Sequence, residues 1–292
     1  MIKSWSIPIK VHMWGGLGSQ LFAWALFEDL ESRFPRRKII LVHHSSGVTQ
    51  RRSELELFFP GQVISVNDWK GNSRELVSNG KSARSLISFR SKLRKLAETA
   101  GAISSSNTDK EFAAMRPWVL AIRGHYSYRT ISQQTISKMI ERSKNIGKPL
   151  FSDSNGRSDS IGFHYRLGDL LIISEKSPIS TERLGKVFQE PYIQNLNSLV
   201  LFSDTPSQAL INLKNFATIS QVITKELGPL ETLIELTKYT NFIGTNSKIT
   251  IWAVILISFK REKKWIMLPQ EFKSQMQYNL GSNSGLGLIN YY

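Results

Sequence analysis

The sequence predicts an α/β fold of two domains with a cleft between them, and three observations carry the prediction. The chain opens strand, glycine turn, helix, strand, the order of a βαβ unit. A polar stretch at 143–160, rich in Ser, Gly, Asn, Lys and Asp and holding Pro149, reads as a linker. Strands and helices then alternate again, with no internal repeat at a solenoid period. The expected domains are therefore 1–150 and 151–292.

Each element follows from its local pattern. Ile7 to Met13 alternate as a first strand, and Gly15, Gly16 and Gly18 break it. Residues 19–33 carry Leu21, Phe22, Ala25, Leu26 and Leu30 at helical spacing, with Ser19 as the expected N-cap. Lys38 to His43 is a short continuous apolar run, the pattern of a buried parallel strand. Residues 70–110 are polar and basic. Within them Leu86, Phe89, Leu93 and Leu96 form one helical face among lysines and arginines, which suits either the protein's own core or an anionic membrane. In the second half, strands are expected at Ile161–His164, Leu199–Phe202, Val222–Thr224, Phe242–Gly244 and Ile266–Pro269. A helix is expected over Glu231–Leu236 after Pro229, and a long buried one over Asn246–Phe259.

Composition narrows the function classes. Of 292 residues, 41% are hydrophobic, enough for a core in each domain. The formal net charge of +15 suits polyanionic or phosphorylated partners. There is no cysteine, so disulfides, thiol nucleophiles and thiolate zinc sites are excluded. Residues 1–10 lack a signal-peptide pattern, and the Ile249–Phe259 run is too short to span a bilayer. A cytoplasmic protein, peripheral at the inner face of a membrane if it meets one, is the expectation. No nucleic-acid motif is visible, and nucleic acid is not an expected partner.

Three segments carry candidate chemistry. Trp14 to Leu21 is a glycine turn feeding a helix, which aims unpaired N–H groups and a positive dipole end at an anion. It is neither a phosphate-binding Gly-Lys-Ser/Thr loop nor a dinucleotide fingerprint, since Leu21 stands where the last glycine would be. His164-Tyr165-Arg166-Leu167-Gly168-Asp169 places an imidazole, a guanidinium and a carboxylate after an apolar strand. Arg166 can grip two phosphate oxygens through its fork, or Arg166 and Asp169 can form a structural pair. Ser203-Asp204 ends another strand and suits a ribose or a helix cap, and Asn246-Ser247 suits a cap or a phosphate. The chain has seven aspartates but no Asp-x-Asp, so a carboxylate-type metal–diphosphate site is not visible.

Taken in order, these segments resemble the α-1,2-fucosyltransferase family, glycosyltransferase family 11. Residues 15–22, GGLGSQLF, match the family's Gly-Gly-Leu-Gly-Asn-Gln-Leu-Phe, and 164–170, HYRLGDL, match His-x-Arg-x-Gly-Asp-Tyr. Phe202-Ser203-Asp204 matches its Phe-Ser-Asp, residues 246–253, NSKITIWA, its Asn-Ser-x-Phe-Ser-Trp-Trp-Ala, and Gly124-His125-Tyr126-Ser127 its Gly-aromatic-Gln-Ser segment. The likeness runs from residue 7 to about residue 272.

The resemblance implies a GT-B architecture of two Rossmann-like domains with the active site in the cleft. Residues 1–150 would lie on the acceptor side and 151–292 would bind the nucleotide sugar. It implies GDP-fucose as donor substrate, inversion at the sugar carbon, and neither metal nor further cofactor. The acceptor would be a hydroxyl, the galactose 2-OH by family expectation, on a bacterial O-antigen or surface polysaccharide repeat unit. A lipid-linked oligosaccharide at an anionic membrane would suit the basic charge.

Arg166 would hold the diphosphate, with His164 and Asp169 completing the catalytic set. Gly16, Gly18, Ser19, Gln20, Ser203, Asp204, Asn246 and Ser247 would bind the donor, Asp204 near the nucleoside. The chain departs from the family pattern at Ser19, Leu167, Leu170, Ile249 and Ile251. A related donor such as GDP-colitose, and a non-catalytic nucleotide- or glycan-binding role, stay open beside the main reading. No side chain is identifiable as the base. Glu28 and Asp29 lie well down the first helix, and His12 suits a core position as well as a catalytic one.

Overall fold

A computed structural model describes residues 7–44, 52–66, 92–150, 157–171, 177–194, 198–214, 221–259, 265–281 and 289–292. The chain divides into two compact units, Met1–Thr130 and Ile131–Tyr292. This division falls ahead of the serine-rich stretch at which the sequence suggests one. The helix Gln133–Asn145 belongs to the second unit, packing on the helix Lys248–Phe259. The Ile131 N–H donates to Asn279 O at 2.9 Å.

The first unit is a five-stranded parallel sheet in the order β3-β2-β1-β5-β4. Its strands are β1 (Ile9–Trp14), β2 (Ile39–His44), β3 (Val63–Val66), β4 (Ile103–Ser104) and β5 (Ala121–Arg123). The helix Leu17–Arg33 follows β1 and is apolar on most of its circumference. It packs on β1 and β2 and on the turn at Leu55–Leu57. Trp24 and Phe27 meet Phe58 and Phe59 there, with ring centroids 4.6–5.2 Å apart. Residues 92–99 are helical, and Leu93 and Leu96 on them are exposed. At these two positions the apolar stripe does not enter the core; Leu86 and Phe89 lie outside the described residues.

The second unit is a six-stranded parallel sheet in the order β11-β10-β9-β6-β7-β8. Its strands are β6 (Arg157–His164), β7 (Ser198–Phe202), β8 (Gln221–Lys225), β9 (Tyr239–Gly244), β10 (Trp265–Leu268) and β11 (Ile289–Tyr291). β6 begins inside the stretch read as a linker, since Arg157 already pairs with Tyr239 of β9; its carboxyl half pairs on both sides, with β7 and β9. The helix Lys248–Phe259 buries every residue from Thr250 to Ile257, as its unbroken apolar run requires. In each sheet the chain proceeds outward from a central strand and then resumes on its other side. The strand order therefore reverses beside β1, between β1 and β5, and beside β6, between β6 and β9. In open α/β sheets, ligands bind at the carboxyl ends of strands at such points.

Candidate functional site

In the second unit β6, β7 and β9 end level. His164 pairs with Phe202 on one side and Gly244 on the other. The two segments after β6 and β9 are laced together. Thr245 is fully buried, its hydroxyl donates to His164 O at 3.0 Å, and it accepts from the Arg166 N–H at 2.9 Å. Arg166 is thereby held at the mouth of the sheet, half-buried.

A second clamp comes from β7. Asp204 Oδ1 accepts from the N–H groups of Leu167 at 2.9 Å and Gly168 at 3.0 Å. Gly168 must be glycine for this approach, since a Cβ there would stand 2.3 Å from Asp204 Oδ2. Asp204 thus organises the Arg166 loop with one of its oxygens. The side chain of Asp169 lies outside the described residues. Leu167 and Leu170 are buried. Leu167 packs in a cluster with Phe163, Tyr165 and Leu184, which anchors the loop from below.

His164 is buried and shares a 2.8 Å hydrogen bond between its Nδ1 and Thr250 Oγ1. Desolvation pushes its pKa down to about 4; Asp204 opposes the shift and Arg166 adds to it. The imidazole is neutral at pH 7 and orients the start of the Lys248–Phe259 helix instead of adding positive charge.

The remaining predicted residues of this unit sit at helix starts. Ser247 is buried and its Oγ accepts from the Ile249 N–H at 3.3 Å, capping the helix, while Asn246 is exposed before it. Ser203 Oγ accepts from the Thr205 N–H at 3.1 Å ahead of the helix Pro206–Lys214. Both serines therefore serve as local turn and cap acceptors.

Sequence reasoning missed Thr245, although it adjoins Asn246. It also missed a cavity of about 500 Å³ at the end of β8, lined by Lys225, Leu227, Glu231, Ile234 and Glu235. Lys225 bonds Glu235 at 2.6 Å, and with Lys238 it holds that carboxyl below the usual range although burial opposes the shift. Glu231 is exposed.

In the first unit the glycine turn forms as expected, with two corrections. The helix starts at Leu17 with Gly16 as N-cap, and Ser19 lies inside its first turn, so Ser19 is not the cap. The Ser19 and Gln20 N–H groups donate to Gly16 O at 2.9 and 3.2 Å. Gly15 has φ +82°, a left-handed conformation that explains a glycine here. Gln20 is fully buried. Its Nε2 donates to Gly15 O at 2.9 Å and Arg52 O at 3.2 Å, and its Oε1 accepts from the Glu54 N–H at 2.8 Å. Its amide ties the turn to the 52–54 segment and makes three bonds inside the protein. Gly16 is half-buried and Gly18 buried.

Glu28 is buried and accepts from Trp24 Nε1 at 2.7 Å, and Asp29 pairs with Arg129. His12 shares a 2.7 Å hydrogen bond with His44. His43 is buried beside the turn, and desolvation lowers its pKa.

Among the described residues no group of three His, Asp or Glu side chains is arranged to hold a metal ion. Among them, too, no helix is long and apolar enough to cross a membrane.

No family model matches this chain, and no curated protein matches it. Solved structures match it in fold. E. coli heptosyltransferase WaaC with ADP is 10% identical, over 94% of this chain and 91% of that one, with a TM-score of 0.43. A glycosyl transferase family 9 protein from Veillonella parvula is 12% identical, over 95% and 86%, with a TM-score of 0.45. NodZ alpha-1,6-fucosyltransferase soaked with GDP-fucose is 14% identical, over 86% and 93%, with a TM-score of 0.35. The chain is thus similar to glycosyltransferases along most of its length, and the likeness is one of fold.

Proposed function

We propose that this protein transfers a sugar from a GDP-sugar, with GDP-fucose the first candidate, to a glycan hydroxyl without a metal ion. The observation that carries the reading is the placement of Arg166. It stands at the strand-order reversal of the second sheet, on a loop held by Thr245 on one side and Asp204 on the other. The order of motifs shared with the α-1,2-fucosyltransferase family supplies the choice of donor and of linkage.

In this reading the acceptor oxygen forms a bond to the anomeric carbon while the bond from that carbon to the diphosphate breaks. The bonding pair leaves with GDP, and the configuration inverts. Charge grows on the bridging and β-phosphate oxygens. Arg166 meets it with two N–H donors, and the Ser247-capped helix adds the positive end of its dipole. The acceptor's proton passes to the departing phosphate, which needs no side-chain base. The cavity beside β8, one strand beyond Asp204, has room for a nucleoside. Glu231 there offers a carboxylate to the two N–H donors on guanine's Watson–Crick edge.

The test is release of free nucleotide from GDP-fucose, GDP-mannose, UDP-glucose and dTDP-rhamnose by purified protein in EDTA, with and without galactose-terminated oligosaccharides. Acceptor-stimulated release of GDP from GDP-fucose is the expected result. GDP affinity with no release or transfer from any donor would leave a nucleotide-binding protein and overturn the enzymatic reading. Release confined to another GDP-sugar would move the donor to a relative such as GDP-colitose.

A further inference from the structure

The first sheet has its own reversal of strand order, between β1 and β5. His12 on β1 stands level with Arg123 on β5 there. At the ends of β1 and β2, Trp14 stands level with His44. The Trp14 and His44 rings stack with centroids 4.7 Å apart and planes 11° from parallel, and His12 bonds His44. The Arg123 guanidinium carbon lies 5.3 Å from the centroid of the Trp14 ring. Arg123 is half-buried, and among the described residues no carboxylate pairs with it.

Among the described residues, what meets this half-buried guanidinium is the face of Trp14. The face of an aromatic ring offsets the charge only in part. The chain also fixes the adjacent backbone at a cost. Tyr126 is a non-glycine residue in the left-handed region, with φ 58°. Its hydroxyl donates to His12 O and Ile122 O, joining the ends of β1 and β5. Asn107 Oδ1 accepts from the N–H groups of His125, at 2.7 Å, and Tyr126. The segment Gly124–Ser127, which the donor chemistry leaves without a task, therefore braces the strand end that carries Arg123.

We propose that the Arg123–Trp14 edge is a binding site for the anionic group of a saccharide. Arg123 supplies a two-pronged donor for a pair of anionic oxygens, and Trp14 holds its plane. The same chemistry fits the carboxylate of a uronic acid and the phosphate of a sugar phosphate. The anion site does not depend on the donor reading above.

The test titrates full-length protein, by ligand-observed NMR, with a galacturonate disaccharide, its methyl ester and galactose 1-phosphate. At least one of the two anions is expected to bind tenfold or more tightly than the neutral ester. Preference for the uronate identifies a carboxylate ligand, and preference for the sugar phosphate a phosphate ligand. Arg123→Gln is expected to abolish the preference, Arg123→Lys to restore part of it, and both to leave GDP affinity unchanged. Equal binding of acids and ester, or an undiminished preference in Arg123→Gln, would overturn the proposal. Wild-type protein that prefers the acid but lacks GDP affinity would refute the donor reading and leave the anion site standing.

Discussion

Replacing Gly168 by alanine adds one carbon where the structure has no room for it. The new Cβ would lie 2.3 Å from Asp204 Oδ2 and 2.8 Å from Asp204 Cγ, far inside contact distance. Asp204 must then swing away and give up the N–H groups of Leu167 and Gly168. Hydrogen bonds to a charged group contribute roughly 1.5–3 kcal/mol each, and these two are partly exposed, so the joint loss is about 3 kcal/mol. For a domain of this size that corresponds to a fall of about 6–12 °C in Tm.

The same loop carries Arg166, so affinity for GDP should fall at least tenfold. Differential scanning calorimetry and nucleotide titration read the two effects. Asp204→Ala should cost a similar amount, because it removes the same two bonds. The double variant Gly168→Ala/Asp204→Ala should then cost no more than the worse single change, since the clash is gone and the bonds are lost once. Additive losses in that cycle would refute the clamp.

Arg166→Ala should lower turnover of GDP-fucose about 100-fold or more. Arg166→Lys should recover little of it, because an ammonium lacks the planar fork; near-wild-type kcat/KM in either variant would remove Arg166 from the mechanism. His164 gives a pH signature. Its folded pKa of about 4 lies below the ordinary 6.5. Between those values the unfolded chain binds the proton and the folded one does not, so stability is full above pH 6.5 and falls as pH drops toward 4, by about 3 kcal/mol in all. Denaturant melts across that range should show the slope, and His164→Asn should flatten it. Gln20→Ala leaves three buried or part-buried backbone groups without their partner and should lower stability by about 3 kcal/mol in denaturant titration; a change below about 0.5 kcal/mol would mean that the turn does not depend on it.

Much of the architecture was legible in the chain because apolar periodicity and glycine placement are local signals. The run through Ile251–Ile257 could only be a buried helix, and Ile39–Val42 a buried strand. The start of the first helix was misjudged by a few residues. Serine is the better cap in general, but the Gly15–Gly16 turn already sets the entry geometry here.

The site was legible as a set of positions and less so as a set of tasks. Gln20, Ser203 and Asp204 have side chains that suit a ligand, but each also suits a nearby backbone group. Which one it meets depends on contacts up to 37 residues away in sequence, such as Asp204 with Leu167. Thr245 was invisible for the same reason, since its partners His164 and Arg166 come from another strand. Leu167 and Leu170 look like losses in a motif and prove to be buried, Leu167 because the loop after β6 packs on the Phe163 cluster.

The most direct test of the donor site is a calorimetric titration of wild-type protein and Arg166→Ala with GDP, ADP and UDP in EDTA. Wild-type protein is expected to bind GDP in preference to ADP and UDP, and Arg166→Ala to lose at least tenfold of that affinity while its circular dichroism spectrum still shows a folded chain. Equal affinity for the three nucleotides, or equal GDP affinity in the two proteins, would contradict the donor reading.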